Sequence, residues 1–350
     1  MALFTQELAI DLGTANTVIF KDGKVVLDEP SIISINNETG KVVDVGREAL
    51  CEHYYGFMHR MISPIRSGAI ADPESAGRML RRFVRKVTGR GLIRPHLRAC
   101  VAIPRCFDEK AKRTIHDALG VAGIGEVLFI PRPVSEILGL GFDPLSSHPH
   151  MTVDIGHDTT EIAITCSGRT NGSHYAFIST GGAEMTSDIS LYMATCYGFH
   201  SNMMVTAEMI KRKLGSALED LPENEDLEPF EVVGPDLNSD KPKIKKVELT
   251  YHEIVSCLEP TLLKIEHAIE NVLSAAPEYY QSIENDGVWL TGGGSLLRGI
   301  SERFSRKFNI PFRVADDPLK AVARGTCLAL GNTDNYPLQP SKTNQPPTCS

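Results

Sequence analysis

The chain has 350 residues, 42% of them apolar and 23% charged, which is typical of a soluble protein with two domains rather than one. Its formal net charge of −8 disfavours nucleic acid as a partner, because phosphate would be repelled. There is no run of about 18 apolar residues, and residues 1–10 lack the basic and long apolar regions of a secretory signal.

The eight cysteines are scattered and form no Cys-x-x-Cys pair, which is typical of reduced thiols in a cytoplasmic protein. The nearest pair, Cys100 and Cys106, brackets a predicted strand end and is a poor metal site. His148 and His150 lie in a polar turn without ligand spacing. Composition therefore predicts a cytoplasmic protein and no cysteine metal centre.

The first predicted element is a hairpin. Residues 9–12 form a strand, an Asp-x-Gly turn follows, and residues 18–20 form the second strand. A turn rich in Gly, Thr and Asn can aim backbone N–H groups and a hydroxyl at a phosphate. Asp11, at the strand end, would then face the accompanying cation through water. The alternative is an ordinary hairpin in which Asp11 caps the turn.

The same pattern returns at residues 152–160. Its aspartate, glycine and last threonine all lie 143 positions after those of the first hairpin (154 − 11, 156 − 13 and 160 − 17). A second echo relates residues 133–139 to residues 318–325, each a small-residue helix with a proline start and a late glycine. Together the echoes predict a duplicated α/β protein with two related lobes.

The echoes divide the chain. The first lobe is predicted over residues 1–150 with a small insertion at about 36–62, and the second over 151–334 with an insertion at about 186–259. Residues 335–350 are rich in polar residues and proline and are predicted to be a disordered tail.

A third glycine element lies at residues 288–297, where an apolar strand runs into Gly292, Gly293 and Gly294 and then into a helix. Without side chains, a base or a phosphate can approach the backbone closely. Such a turn is weak evidence alone, but its order after two Asp-x-Gly hairpins is informative.

These motifs resemble those of the MreB family of bacterial actins. The resemblance rests on residues 11–17, on Ala207-Glu208-Met209-Ile210-Lys211, and on residues 290–298 and 317–325, and it covers about residues 7–330. It implies an α/β, actin-like (ribonuclease H-like duplicated) fold with two lobes around a nucleotide cleft. It also implies ATP and Mg²⁺ as cofactors.

The resemblance also implies individual roles. Asp11 and Asp154 would hold the water shell of Mg²⁺. The nucleotide-binding residues would be Thr14, Ala15, Asn16, Gly156, His157, Asp158, Gly181, Gly182, Glu208, Lys211, Gly292, Gly293 and Gly294. From the sequence alone, Glu208 and Lys211 are better explained as a plain exposed helix face.

Three departures from the family fall around the terminal phosphate. The second phosphate loop reads Gly156-His157-Asp158 where the family has three glycines, and Ala183 stands where an aspartate is usual. Arg132 occupies the position of the family's catalytic glutamate, and arginine cannot act as a general base. Glu136, one turn along, is a weak substitute. The sequence therefore predicts nucleotide binding with slow or absent hydrolysis.

Residues 78–98 carry eight basic residues and no acidic one. Most of this segment reads as an amphipathic helix, and a basic face with Leu92 and Ile93 at its tip would suit an anionic lipid surface. Phe4 is a weaker second anchor. The alternative is a solvated helix followed by an ordinary loop.

The resulting prediction is a filament protein on the inner membrane face that helps to determine cell shape. Its partners would be further copies of itself, the membrane surface and the cell-wall elongation proteins, and not nucleic acid. The first alternative is a nucleotide-insensitive scaffold or regulator of another filament. A less favoured alternative is a sugar or acetate kinase, which would need a catalytic base for which the sequence offers no clear candidate. A chaperone-type ATPase would need a further peptide-binding domain.

Overall fold

A computed structural model describes residues 5–52, 58–89, 95–199, 203–220, 228–235, 244–336 and 338–341. Its first elements, up to residue 149, are β1 Thr5–Leu12, β2 Asn16–Lys21, β3 Lys24–Pro30, β4 Ile33–Asn36, β5 Val42–Val45, α1 Arg47–Glu52, β6 His59–Ile62, β7 Ile65–Arg66, β8 Ala69–Ile70, α2 Pro73–Thr88, β9 His96–Ile103, α3 Glu109–Ala122, β10 Glu126–Pro131 and α4 Arg132–Gly139.

The remaining elements are β11 His150–Ile155, β12 Thr160–Thr165, β13 Tyr175–Ile178, α5 Gly182–Tyr197, α6 Met203–Leu214, β14 Phe230–Pro235, β15 Ile244–Leu249, α7 Tyr251–Ser274, α8 Tyr280–Asp286, β16 Val288–Thr291, α9 Ile300–Phe308, β17 Phe312–Val314, α10 Ala321–Leu330 and β18 Gln339–Pro340. Short 3₁₀ turns lie at Gly172–His174, Pro277–Tyr279 and Gly293–Leu296. Strands and helices are thus mixed throughout, as predicted for an α/β protein.

The chain divides into two compact units. Unit 1 holds residues 1–149, 165–171 and 319–350, and unit 2 holds residues 150–164 and 172–318. The predicted division differs, because it placed residues 319–334 in the second lobe. The physical reason is that α10 packs on α4 and on strands β1 and β9 of unit 1.

Unit 1 is built on a six-stranded sheet in the order β18-β10-β9-β1-β2-β3. Strands β1, β9 and β10 are parallel and buried, with helices on both faces, as parallel sheets require. Leu8 and Ile10 of β1 pack with residues of α2 and α3 on one face, and Ala9 between them packs with residues of α4 and α10 on the other. The carboxyl ends of β1 and β10 therefore open onto one edge of the sheet.

Unit 2 repeats the theme with a five-stranded sheet in the order β13-β12-β11-β16-β17. Met151, Val153 and Ile155 of β11 are fully buried in one core with residues of α5, α6 and α7. Helix α7 begins with a capping box, in which Thr250 and Glu253 satisfy each other's backbone N–H groups. Strands β11 and β16 pair in parallel in this sheet, and the glycine turn follows directly after β16.

Both predicted hairpins are present. Strand β1 pairs antiparallel with β2, and β11 neighbours β12.

The predicted tail differs from the structure in part, because β18, at residues 339–340, pairs with Leu128 and Phe129 of β10. Residues 342–350 lie outside the described part of the chain.

Candidate functional site

The turn between β1 and β2 is tied down by side chains. The N–H of Gly13 donates to the carbonyl of Asn16 at 3.1 Å, and a Cβ on Gly13 would lie 2.7 Å from that oxygen. Ser31 donates its hydroxyl to the Gly13 carbonyl at 2.7 Å and lies 2.9 Å from the buried hydroxyl of Thr17. The glycine is thus required for the tight turn, and the turn is held rigidly.

The predicted phosphate-cradling residues lie at the accessible side of this turn. Ala15 and Asn16 are exposed, and Thr14 is half-buried. The Thr14 hydroxyl accepts a hydrogen bond from the N–H of Gly68 at 3.3 Å, and the Asn16 amide donates to Asp28 at 3.0 Å. This arrangement leaves the turn open to an anion while its base is fixed.

The turn between β11 and β12 has the same construction. The N–H of Gly156 donates to the carbonyl of Thr159 at 2.8 Å, and the fully buried hydroxyl of Thr160 donates to the carbonyl of Thr180 at 2.8 Å. Gly156, Thr159 and Thr160 are the counterparts, 143 positions on, of the residues that close the first turn. The sequence echo is therefore an echo of hydrogen bonding as well.

Helix α5 begins directly against this second turn. Its first N–H groups, those of Gly182 and Ala183, donate to the carbonyls of Gly156 at 3.0 Å and His157 at 2.7 Å. A Cβ on Gly181 would lie 2.6 Å from the His157 carbonyl, so only glycine allows this approach. The predicted residues Gly181 and Gly182 thus act here by fixing the turn.

The charged side chains of the second turn lie at its outer side. The ring of His157 is 43% exposed, and its Nε2 lies 3.7 Å from an oxygen of Asp158, whose side chain is 22% exposed. Asp154, at the end of β11, is buried. A Cβ on Gly292 would lie 2.3 Å from a carboxylate oxygen of Asp154, so this glycine makes room for the predicted metal-holding carboxylate.

The glycine element after β16 packs tightly on β11. Gly292 has a φ of +73°, which favours glycine, and a Cβ on Gly294 would lie 2.2 Å from the side chain of Ile155. The Ser295 hydroxyl donates to the Gly292 carbonyl at 2.6 Å. Gly293 begins the short 3₁₀ turn that follows. The first and third glycines of the element are therefore required by packing against β11.

Glu208 and Lys211 do not form the plain exposed face that periodicity alone suggests. The Lys211 ammonium donates to the carbonyl of Gly182 at 2.8 Å, to the Thr186 hydroxyl at 2.9 Å and to Glu208 at 2.6 Å. Burial would raise the pKa of Glu208, but hydrogen bonds from Lys211 and Arg212 outweigh it and hold the pKa below its usual range. Burial lowers the pKa of Lys211. The pair clamps α6 onto the start of α5.

Arg132 and Asp11 meet in unit 1. Arg132 is the first residue of α4, and its Nη2 lies 3.1 Å from Oδ1 of Asp11, with both side chains largely buried. Oδ1 is buried and accepts no well-aligned hydrogen bond within the described residues, so the contact is an ion pair of imperfect hydrogen-bond geometry. Glu136, the weak candidate for a base, is 1% exposed within α4.

The fit of a magnesium ion can be tested at Asp11. Mg²⁺ is commonly held by one or two carboxylates together with waters and substrate phosphates, and the buried oxygen of Asp11 meets that requirement. The guanidinium of Arg132 competes for the same oxygen. Within the part of the chain that the structure describes, no three His, Cys, Asp or Glu side chains group closely enough to hold a metal by themselves.

The predicted membrane segment is described only in part, since Leu92, Ile93 and Phe4 lie outside the described residues. On α2, Arg82 donates to backbone carbonyls of β5, and Lys86 binds Glu29 and Glu48. Arg78 pairs with Glu74.

Arg81 and Arg85 are the exposed basic side chains of α2 for which the structure gives no acidic partner among the described residues. No helix in the described ranges is both long and apolar enough to cross a membrane.

Two residues that shape the site were missed by sequence reasoning. Ser31 fixes the first turn, and Thr186 joins the Lys211 clamp through its hydroxyl. Both act across more than ten residues of chain, and a single hydroxyl residue gives no periodic or spacing signal. Only the hairpin of β2 with β3 and the packing of α5 on α6 bring them into place.

The sequence is similar to those of known proteins along nearly its whole length. The family model described as MreB/Mbl protein matches residues 5–337. The cell shape-determining protein MreB of Pasteurella multocida is 33% identical over 344 residues, covering 95% of each chain. The cell shape-determining protein Mbl of Bacillus subtilis is 30% identical over 348 residues, covering 96% of this chain and 98% of its own.

The fold is also similar to that of solved structures. MreB 5 of Spiroplasma citri bound to AMPPNP superposes with a TM-score of 0.85 at 27% identity, over 94% of this chain and 97% of its own. The MamK double helical filament, at 20% identity and a TM-score of 0.77, covers 95% of this chain and all of its own, and shows the fold alone. The chain therefore belongs to the MreB/Mbl family of actin-like, cell shape-determining proteins.

Proposed function

We propose that this protein binds an adenine nucleotide and assembles into filaments at the inner membrane face, where they help to determine cell shape. The observation that carries the proposal is the pair of matched glycine turns, residues 13–16 and 156–159, each closed by the same glycine N–H bond and followed by a buried threonine. Such turns present backbone N–H groups to phosphate. Relatives that are cell shape-determining proteins support the role.

The nucleotide class follows from the relatives. Solved structures of MreB 5 of Spiroplasma citri are bound to AMPPNP and to ADP. ATP or ADP is therefore the proposed ligand, and Asp11 and Asp154 are the residues proposed for the water shell of an accompanying Mg²⁺. Gly292 and Gly294 let the element assigned to adenosine pack closely on β11, beside Asp154 and Ile155.

Hydrolysis is proposed to be slow or absent. Arg132 stays protonated and cannot take a proton from water. The carboxylate of Glu136 is buried inside α4 rather than presented at its start. The protein would then respond to nucleotide by binding rather than by turnover.

The test is co-sedimentation of the purified full chain with anionic vesicles, with and without Mg-ATP, and negative-stain electron microscopy of the pellets. Filaments that form on lipid when nucleotide is added are the expected result. Filaments that form equally with and without nucleotide would favour a nucleotide-insensitive scaffold. The supporting observation for that alternative is the departure from the family pattern at Asp158 and Arg132. Absence of filaments under all conditions would contradict the proposal.

Membrane binding has its own expected result. Reversing the two exposed charges of α2, in Arg81→Glu/Arg85→Glu, should weaken binding to anionic vesicles about tenfold or more, because each basic residue near such a surface contributes about 1 kcal/mol. The matched control is Lys110→Glu/Arg113→Glu, which makes the same charge change on the exposed face of α3. The effect should vanish at high salt. Equal losses in both double variants would point to net charge rather than to α2.

A further inference from the structure

Arg132 lies where the sheet of unit 1 opens. Asp11 pairs with Ala102 of β9, and Ala102 pairs with Ile130 of β10, so Asp11 and Ile130 share one row across three parallel strands. Strands two apart are separated by about 10 Å. Arg132 follows two residues after Ile130, and its long side chain spans this distance to place Nη2 at 3.1 Å from Asp11. A short side chain at this position could not reach Asp11.

The pair is held in surroundings that favour charge attraction. The side chains of Arg132 and Asp11 are 14% and 13% exposed, so water screens their attraction poorly. The guanidinium keeps its charge at any physiological pH. The permanently charged guanidinium of Arg132 therefore lies against the Asp11 carboxylate, which was predicted to hold the water shell of Mg²⁺. Any divalent ion that approaches Asp11 has to compete with it.

The position of the pair relates it to the phosphate turn. Asp11 precedes Gly13 by two residues on the strand that leads into the turn of residues 13–16. That turn is fixed from behind by Ser31 and is exposed at Ala15 and Asn16. A guanidinium carries five N–H donors in a planar fork, which suits it to a carboxylate and a phosphate at the same time.

We infer that Arg132 is the built-in cation of the phosphate-binding turn, so that the protein binds the polyphosphate of a nucleotide without needing Mg²⁺. The inference rests on the proposed nucleotide binding and adds its cation requirement. Arg132 neutralises Asp11, which would otherwise repel phosphate, and it offers a charged fork at the same edge of the sheet. A purely structural role, in which Arg132 only anchors α4 to β1, is the competing explanation.

The experiment measures the dissociation constant of a fluorescent ATP analogue with the full chain, once in excess Mg²⁺ and once in EDTA. For the parent protein, EDTA should weaken binding by less than about threefold. In Arg132→Ala, affinity in EDTA should fall about tenfold or more, and Mg²⁺ should restore most of it. Arg132→Lys keeps the positive charge but not the planar fork of donors. Its affinity in EDTA should therefore lie between those of the parent and of Arg132→Ala. Arg113→Ala, an exposed arginine of α3, is the control and should match the parent.

The possible outcomes distinguish failure of the inference from failure of the proposed nucleotide binding. A parent protein that binds the analogue only with Mg²⁺ overturns the inference and leaves the proposed nucleotide binding intact. No binding in either condition overturns the proposed function itself. If Arg132→Ala loses affinity equally in Mg²⁺ and in EDTA while Arg132→Lys does the same, the role is structural and the inference is wrong. Thermal melts of all variants identify any that are unfolded, and Arg132→Lys then carries the test.

Discussion

Replacing Gly325 by alanine is expected to destabilise unit 1 by about 3 kcal/mol or more. Gly325 lies in α10 where this helix crosses α4, and a Cβ there would lie 1.6 Å from the backbone carbonyl of Ser135. Gly139 faces it from α4, where a Cβ would lie 1.8 Å from the carbonyl of Ala321. Because the obstacle is backbone on both sides, side-chain repacking cannot relieve the clash and the helices have to move apart.

Separation of the two helices would also break a buried hydrogen-bond group. The Ser135 hydroxyl donates to the carbonyl of Val322 at 2.8 Å and lies 2.8 Å from the hydroxyl of Thr326. Thr326 is fully buried, so losing these bonds leaves polar atoms unsatisfied away from water. The expected loss therefore exceeds the strain of one added methyl group.

Thermal unfolding followed by circular dichroism provides the measurement, and Gly325→Ala should lower the midpoint by about 6 °C or more. The control is Gly120→Ala in α3, where nothing lies within 4 Å of an added Cβ. That substitution should be neutral or stabilise by up to about 1 kcal/mol, because alanine is the better helix former. Equal midpoints for the two variants would show that α4 and α10 do not approach as closely as described.

The duplicated hairpins were predictable because their signal is local. A strand, an Asp-x-Gly turn and a second strand fit within ten residues, so Gly13 and Gly156 could be read from spacing alone. The fold class followed from repetition of that unit. Even the hydrogen bonds repeat, with Thr17 and Thr160 buried at matching places. Structure that depends only on contacts between residues close together in the chain can be predicted from the sequence.

The packing partner of α10 was not predictable in the same way. The echo identified both α4 and α10 as small-residue helices, but the linear order suggested that each belongs to its own half. In the structure both lie in unit 1, with Gly139 and Gly325 facing each other. Small residues predict that a helix packs closely on another element, but they do not identify that element. Here the partner helix lies nearly two hundred residues away along the chain.

The candidate site shows the same limit. Glycine positions were predicted correctly as turns, whereas the contacts of charged residues depend on tertiary structure. Periodicity alone favoured an exposed helix face for Lys211, yet it is clamped between Gly182, Thr186 and Glu208. The sequence showed Arg132 at the position of the family's catalytic glutamate, but its ion pair with Asp11 emerged only from the register of β1, β9 and β10. The assigned nucleotide contacts themselves stay predictions.

Replacing Asp158 by glycine is expected to raise the affinity for ATP about tenfold or more. The second turn carries Asp158 at the position that corresponds to exposed Ala15 of the first turn, 143 residues earlier. A carboxylate about 4 Å from a terminal phosphate would cost roughly 1–4 kcal/mol, depending on screening. The His157 ring, at 3.7 Å, offsets this only when it is protonated.

Three comparisons separate charge from shape. Asp158→Asn keeps the size of the side chain and removes the charge, so it should give most of the gain that glycine gives. Glu284→Gln, which removes one exposed charge from α8 of the same unit, should leave affinity unchanged. The gain should be large for ATP, smaller for ADP and absent for adenosine, and salt should reduce it.

Adenosine shows whether the gain depends on the phosphates, and Asp158→Asn shows whether it comes from the charge or from loosening of the turn. If Asp158→Gly binds ATP no better than the parent, the carboxylate does not face the phosphates. The second turn would then hold nucleotide with Asp158 directed elsewhere, and the departure of this turn from three glycines would have no bearing on affinity. A gain that is largest for ATP, smaller for ADP and absent for adenosine would place the Asp158 carboxylate beside the terminal phosphate and make it the residue that limits nucleotide binding.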